Sequence, residues 1–189
     1  EPTPEPPPPP PADNFQELRA QGLNWSWGVW RDPNGAVFDT YASGNFLGPL
    51  AIQPIIDGAT TYNLAGSGSA GAVISQGTQR NFVSGDVALN VRIGGGIVPV
   101  WQGAFTLNNS AENNSLVFNA NGNIQNSGKM TGNAYSYYLN YQGSAYDQGT
   151  LTRNEVNGQL VGPGATKPIS GAYGDFNFEH GAGKPVVKG

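Results

Sequence analysis

From Leu23 onward, apolar and polar residues alternate along the chain. Trp25, Trp27 and Val29 alternate with Ser26 and Gly28, and Val87, Leu89, Val91 and Ile93 alternate with Ala88, Asn90 and Arg92. Ile97, Trp101, Phe105 and Leu107 fall on one side of the next run, and Tyr135, Tyr137, Leu139 and Tyr141 on one side of another. Phe176 and Phe178 point one way, with Asn177 and Glu179 opposite. A period of two is the mark of a strand with one buried face. Asn34-Gly35, Asn121-Gly122 and Asn157-Gly158 read as hairpin turns, because Asn and Gly both tolerate positive φ. Asp57-Gly58 and Gly94-Gly95-Gly96 are further breaks, and Gly66-Ser-Gly-Ser-Ala-Gly71 is expected to be a mobile loop. The spacing predicts an all-β fold of roughly eight to ten strands, and a single antiparallel β-barrel of about eight fits residues 23–189. Closure would leave no strand edges to protect.

Two other segments precede that pattern. Eight of the first eleven residues are proline, with Pro6 to Pro11 unbroken. Proline fixes φ and has no N–H, so residues 1–12 are expected to form a stiff polyproline II arm of about 3.1 Å per residue. Residues 13–22 are expected to form a short amphipathic helix. Asp13 or Asn14 would cap it, Glu17 sits at the capping-box position, Phe15 and Leu18 share a face, and Gly22 ends it. A helix this short needs a surface to pack on.

Composition narrows the function classes. Only 12% of the 189 residues are charged; polarity comes from Asn, Gln, Ser and Thr, with 20 Asn, and Gly supplies 28 residues. The nine basic residues are scattered and the net charge is −4, so no basic stripe exists for nucleic acid. With no cysteine, thiolate chemistry and Cys-based zinc sites are excluded. No apolar run is long enough for a transmembrane helix. The first residue is Glu, which reads as a processed chain that has lost a signal peptide.

No reaction suggests itself. A Ser-His-Asp triad or a haem ligand would have to use His180, the one histidine, and no serine sits in a nucleophile elbow. The acids, Asp39, Asp57, Asp86, Asp147, Asp175 and Glu155 among them, form no motif, and several flank glycine as turn residues do. No enzyme activity, cofactor or metal is expected. Trp25 and Trp27 share a face and are expected to pack inward, whereas Trp30 falls on the other side. Tyr135, Tyr137, Tyr138, Tyr141 and Tyr146 put aromatic rings on both faces, and Tyr138 is the expected exposed one.

Ser26-Trp27-Gly28-Val29-Trp30, Gly58-Ala-Thr-Thr-Tyr62 and the strand at 84–91 follow one another in an order that resembles a known barrel. So does the tail from Gly158 to Ala165, followed by Pro168 to Phe178. The resemblance is to the barrel domain of transferrin-binding-protein-B-like surface proteins. Leu160 and Val161 stand where that family usually has an aromatic. The resemblance covers roughly residues 24–180. It implies an eight-stranded barrel, extracellular or on the outer-membrane surface of a Gram-negative bacterium, with no shared catalytic residue.

Two functions are expected from these features. The first is a secreted structural subunit whose N-terminal segment docks on a neighbour to build an extracellular polymer. Phe15, Leu18 and Leu23 would anchor it, and Trp25, Trp30 and Tyr138 are the other candidate contacts. The alternative is a tethered binding module capturing a host protein, glycan, haem or other ligand.

Overall fold

The computed structural model describes residues 15–21, 25–44, 47–162 and 169–189. The proline arm and Leu23 lie outside the described residues. Among those residues the chain is all-β, with twelve strands, one eight-residue helix and one 3-10 turn. Strands β1 (Phe15–Gln21), β2 (Trp25–Arg31) and β3 (Val37–Gly44) form a small antiparallel sheet. After helix α1 (Pro49–Ile56) come β4 (Thr61–Gln76), β5 (Gln79–Gly94), β6 (Val100–Asn109), β7 (Asn114–Ile124) and β8 (Lys129–Tyr141). The short β9 (Ser144–Asp147) is followed by β10 (Arg153–Val161), β11 (Gly171–Glu179) and β12 (Val186–Lys188). Each of β4 to β8 pairs with the next, β8 pairs with β10, β10 with β11, β11 with β12, and β12 returns to β4. The expected eight-stranded antiparallel barrel is therefore closed, with β9 a spur on the far half of β8.

The helix expected over 13–22 is not found where the chain is described: Phe15–Gln21 is a strand. Pairing with β2, from Phe15↔Arg31 to Gln21↔Ser26, satisfies its backbone without a second packing surface. Residues two apart share a face in a strand. That brings Arg19 Nε within 3.1 Å of Glu17 Oε1, and Glu17 also pairs with Arg31 across the sheet. The helix that does form, α1, went unread because its eight residues include two prolines and are apolar except for Gln53, which leaves no amphipathic period. It lies across one barrel end, with Ile52 fully buried and Ile55 and Ile56 against the core.

Inward pleats carry the expected apolar residues, and the core is an aromatic column. Phe105 stacks on Phe118 at 4.2 Å, Phe118 meets Phe176 and Phe178 edge-on at 4.9 Å, and Phe178 meets Tyr137 at 4.9 Å. Such pairs contribute about 0.5–1.5 kcal/mol each beyond their burial.

Turn chemistry was read correctly at Asn34-Gly35, where Gly35 has φ +83°, and at Gly94-Gly95-Gly96. Asn121-Gly122 and Asn157-Gly158 instead lie within β7 and β10. Gly122 is required there by proximity, since a Cβ would fall 1.9 Å from the Thr131 carbonyl oxygen. The glycine-rich run 66–71 is part of β4, not a loop. Tyr135 does not join Tyr137, Leu139 and Tyr141 inside. Asn119 and Ala120 face Ser136 and Ala134, so Tyr135 is the extra residue of a β-bulge and turns outward.

Candidate functional site

The barrel is closed at one end of a seam and open at the other. Strand β12 is three residues long and bridges β4 at Val73–Ser75 to β11 at Asn177–Glu179. Gly189 adds one more rung, exchanging N–H and carbonyl bonds with Phe176 at 3.1 and 2.8 Å. Beyond it, β4 continues from Gly71 back to Thr61 and β11 from Asp175 back to Gly171. No strand pairs with either facing edge among the described residues. Because both are antiparallel to β12, the two lips run the same way, about 9.5 Å apart at the level of β12.

The three-stranded sheet lies over this seam. Trp25 and Trp27 share the face of β2 that meets the barrel, and each covers one lip. A Cβ at Gly71 on β4 would lie 2.9 Å from the Trp27 ring, and one at Gly171 on β11 would lie 3.3 Å from Trp25. Trp27 Nε1 donates to Ser69 Oγ at 2.8 Å, tying the sheet to the β4 lip. Val29, next on that face, is fully buried.

Behind the seam lies a cavity of about 710 Å3 that extends into the barrel. That is within the size range of small-molecule sites. Leu64, Val91, Trp101, Phe105, Leu160 and Phe176 line its inner part. The inward pleats of β4 at this level are Gly66, Gly68 and Ala70, which leave the space unfilled. A Cβ at Gly66 would have no neighbour within 4 Å. Among the described residues, Asp175 at the mouth is the one charged side chain in the lining. Burial, then the Asp175 carboxylate, raises the Tyr173 phenol above its usual range, so that ring stays neutral. The arrangement can hold a small apolar body by contact and desolvation, without charge pairing.

The residues singled out from sequence are dispersed. Trp25 belongs to the lid. Trp30 is on its outer face against Tyr41, ring centroids 5.8 Å apart. Leu18 stands half exposed on β1, whose outer edge pairs with no strand among the described residues. Phe15 opens β1, and Leu23 lies outside the described residues. Tyr138 is exposed as expected, on the outer face of β8, far from the lid elements in the sheet order. The cavity itself was not read from sequence. Its signal was there, in the small inward residues Gly66, Gly68, Ala70 and Ala72 on alternate positions.

His180 is placed for structure. Its Nδ1–H donates to the Pro185 carbonyl at 2.7 Å, and its ring packs between Tyr137 and Tyr146 at 5.4 and 5.0 Å. Burial lowers its pKa, opposed by the Pro185 bond, and burial pushes the Tyr137 hydroxyl far above its usual value. Neither residue lines the cavity. Among the described residues, no group of three His, Cys, Asp or Glu side chains could hold a metal ion. No protein-family model and no curated protein sequence matches this chain.

Proposed function

We propose that this chain is a non-catalytic binding barrel that takes a small, uncharged, apolar molecule through the seam between β4 and β11, with the β1–β3 sheet as its cover. The observation that carries this reading is the unfilled cavity behind Gly66 and Gly68, apolar within and, among the described residues, uncharged except for Asp175 at the mouth. Eight strands enclose an interior that side chains can fill, or that can hold one small ligand. Here one half is filled by the aromatic column and the other is not. The non-catalytic part rests on His180, which is committed to Pro185 and lies outside the cavity lining. A cell-surface or secreted setting in a Gram-negative bacterium, in the manner of transferrin-binding-protein-B-like barrels, is part of the same proposal. The low charge and cysteine-free composition support it.

Fluorescence titration with N-phenyl-1-naphthylamine, an uncharged apolar dye, tests the reading. Saturable enhancement is expected, together with quenching of tryptophan emission, since Trp25, Trp27 and Trp101 line the cavity. Gly66→Phe should fill the cavity and abolish dye binding in a folded barrel. Binding that survives this substitution, or no binding by the unaltered chain, would overturn the proposal.

The self-assembly reading keeps one supporting observation. β1 is the outer strand of its sheet and presents Leu18 half exposed, so the N-terminal segment leaves an edge where a neighbour could add.

A further inference from the structure

We propose a second binding site, on the outside of the barrel wall, for a neutral glycan. A groove of about 610 Å3 lies across β6, β7, β8 and β10. It lies where Gly122 of β7 faces Gly132 of β8: both are inward pleats, so the Trp101 ring packs against their backbone from inside, while the outward residues on either side of them line the groove. Trp101 Nε1 donates to the Thr131 carbonyl at 3.3 Å and is thereby fixed.

The rim consists of amides and a hydroxyl. Gln102, Asn121, Asn123, Thr131 and Asn157 line the groove, and none of their side chains is hydrogen-bonded to the protein among the described residues. Each amide offers both a donor and an acceptor, which suits the hydroxyls of a sugar. Charge is scarce on this face. Strands β6 and β7 have no charged residue, and β8 has only Lys129, one pleat from Thr131 and, like Tyr135, outside the groove lining. The groove's one acid, Glu155, holds Arg153 Nε at 3.0 Å. A phosphate, a nucleic acid or a sulfated glycan therefore finds no cationic partner in the groove.

An aromatic platform stands at the edge of the groove. Tyr135 lies one pleat beyond Asn133, about 6.8 Å along β8, and is 52% exposed. The bulge opposite Asn119 and Ala120 turns this ring outward, and bulges commonly re-aim side chains at functional positions. Beyond it, Tyr138 sits opposite Val117, both exposed, extending the apolar shelf. Amides over the groove and a tyrosine one pleat away together match the polar edge and the apolar face of a pyranose chain.

The test is nuclear magnetic resonance titration of the labelled chain with cellohexaose, mannohexaose, maltohexaose and chitohexaose, with a heparin hexasaccharide as the charged control. Side-chain amide signals report the groove directly. At least one neutral hexasaccharide is expected to shift the amides of Asn121, Asn123 and Asn157 saturably at up to millimolar concentration. Tyr135→Ala, a change at an exposed position, should weaken that binding about tenfold. Four results would each overturn the proposal. They are no shift with any neutral hexasaccharide, shifts centred on the Trp25 and Trp27 indoles instead, equal binding of the heparin fragment, and unchanged binding in Tyr135→Ala.

Discussion

Gly66 and Gly122 both occupy inward pleats of barrel strands, yet alanine should act with opposite sign at the two. At Gly66 an added Cβ meets nothing within 4 Å. At Gly122 it would lie 1.9 Å from the Thr131 carbonyl oxygen and 2.7 Å from the Gly132 Cα, both backbone atoms that cannot rotate away. Glycine in a strand loses more conformational freedom on folding than alanine, so Gly66→Ala should stabilise the barrel by about 0.5–1 kcal/mol. For a chain of this size that raises Tm by about 1–4 °C. Gly122→Ala forces β7 and β8 apart, an overpacking cost of about 1–3 kcal/mol and a fall in Tm of roughly 2–12 °C. Urea and thermal melts followed by circular dichroism give both signs, and an unchanged m-value would show that each variant exposes the same surface on unfolding. A destabilised Gly66→Ala would mean that the β4 lip is packed and the cavity is not open. A neutral Gly122→Ala would refute the strand proximity on which the outer groove depends.

The remaining predictions concern the two ends of the chain. His180 has a folded-state pKa below its unfolded value of about 6.5, because burial disfavours the charged ring. The unfolded chain then binds the extra proton first, so stability is complete above about pH 6.5 and falls as pH drops towards the lower folded pKa. With one histidine in the chain, no other side chain has its ordinary pKa between about pH 5 and 6.5. His180→Gln should flatten the slope there in urea melts, and an identical slope would refute the account. Removing residues 1–22 takes away the arm together with β1 and the anchors Phe15 and Leu18. The docking reading expects self-association of the full chain and a monomer after the removal, checked by sedimentation velocity of both forms, and two monomers would make the arm a spacer.

Fold class was legible because the inward residues of β5, β7 and β11 alternate without interruption, and no helix has that period. What escaped depended on geometry that no local window contains. A β-bulge shifts the phase of β8 at Tyr135, so a correct period still assigned that ring to the wrong face. Asn-Gly signals a turn only when the strand must end. At Gly122 the same glycine serves a strand that must approach its neighbour closely. Glu17 looked like a capping residue because the alternative, a strand carrying Glu17 and Arg19 on one face, needs Arg31 from elsewhere in the chain. Past the rung that Gly189 makes with Phe176, no strand among the described residues lies between β4 and β11, and no local window of sequence shows that gap.

The cavity follows from a division of labour between strands that the composition conceals. Eight strands enclose a space that ordinary inward side chains fill. Phe105, Phe118, Phe176, Phe178 and Tyr137 do fill it, from β6, β7, β11 and β8, and they make the lower half a continuous aromatic stack. The upper half stays hollow largely because β4 places Gly66, Gly68 and Ala70 inward on successive pleats, beside the seam where no strand among the described residues lies against it. The hollow can therefore be closed from one strand without disturbing the stack that stabilises the barrel. In a protein selected for packing alone, larger residues at those pleats would add roughly 1.5–3 kcal/mol each through burial. That stabilisation is forgone at adjacent inward pleats of one strand, under a lid carrying two tryptophans. This favours a space kept for a ligand over an accidental packing defect.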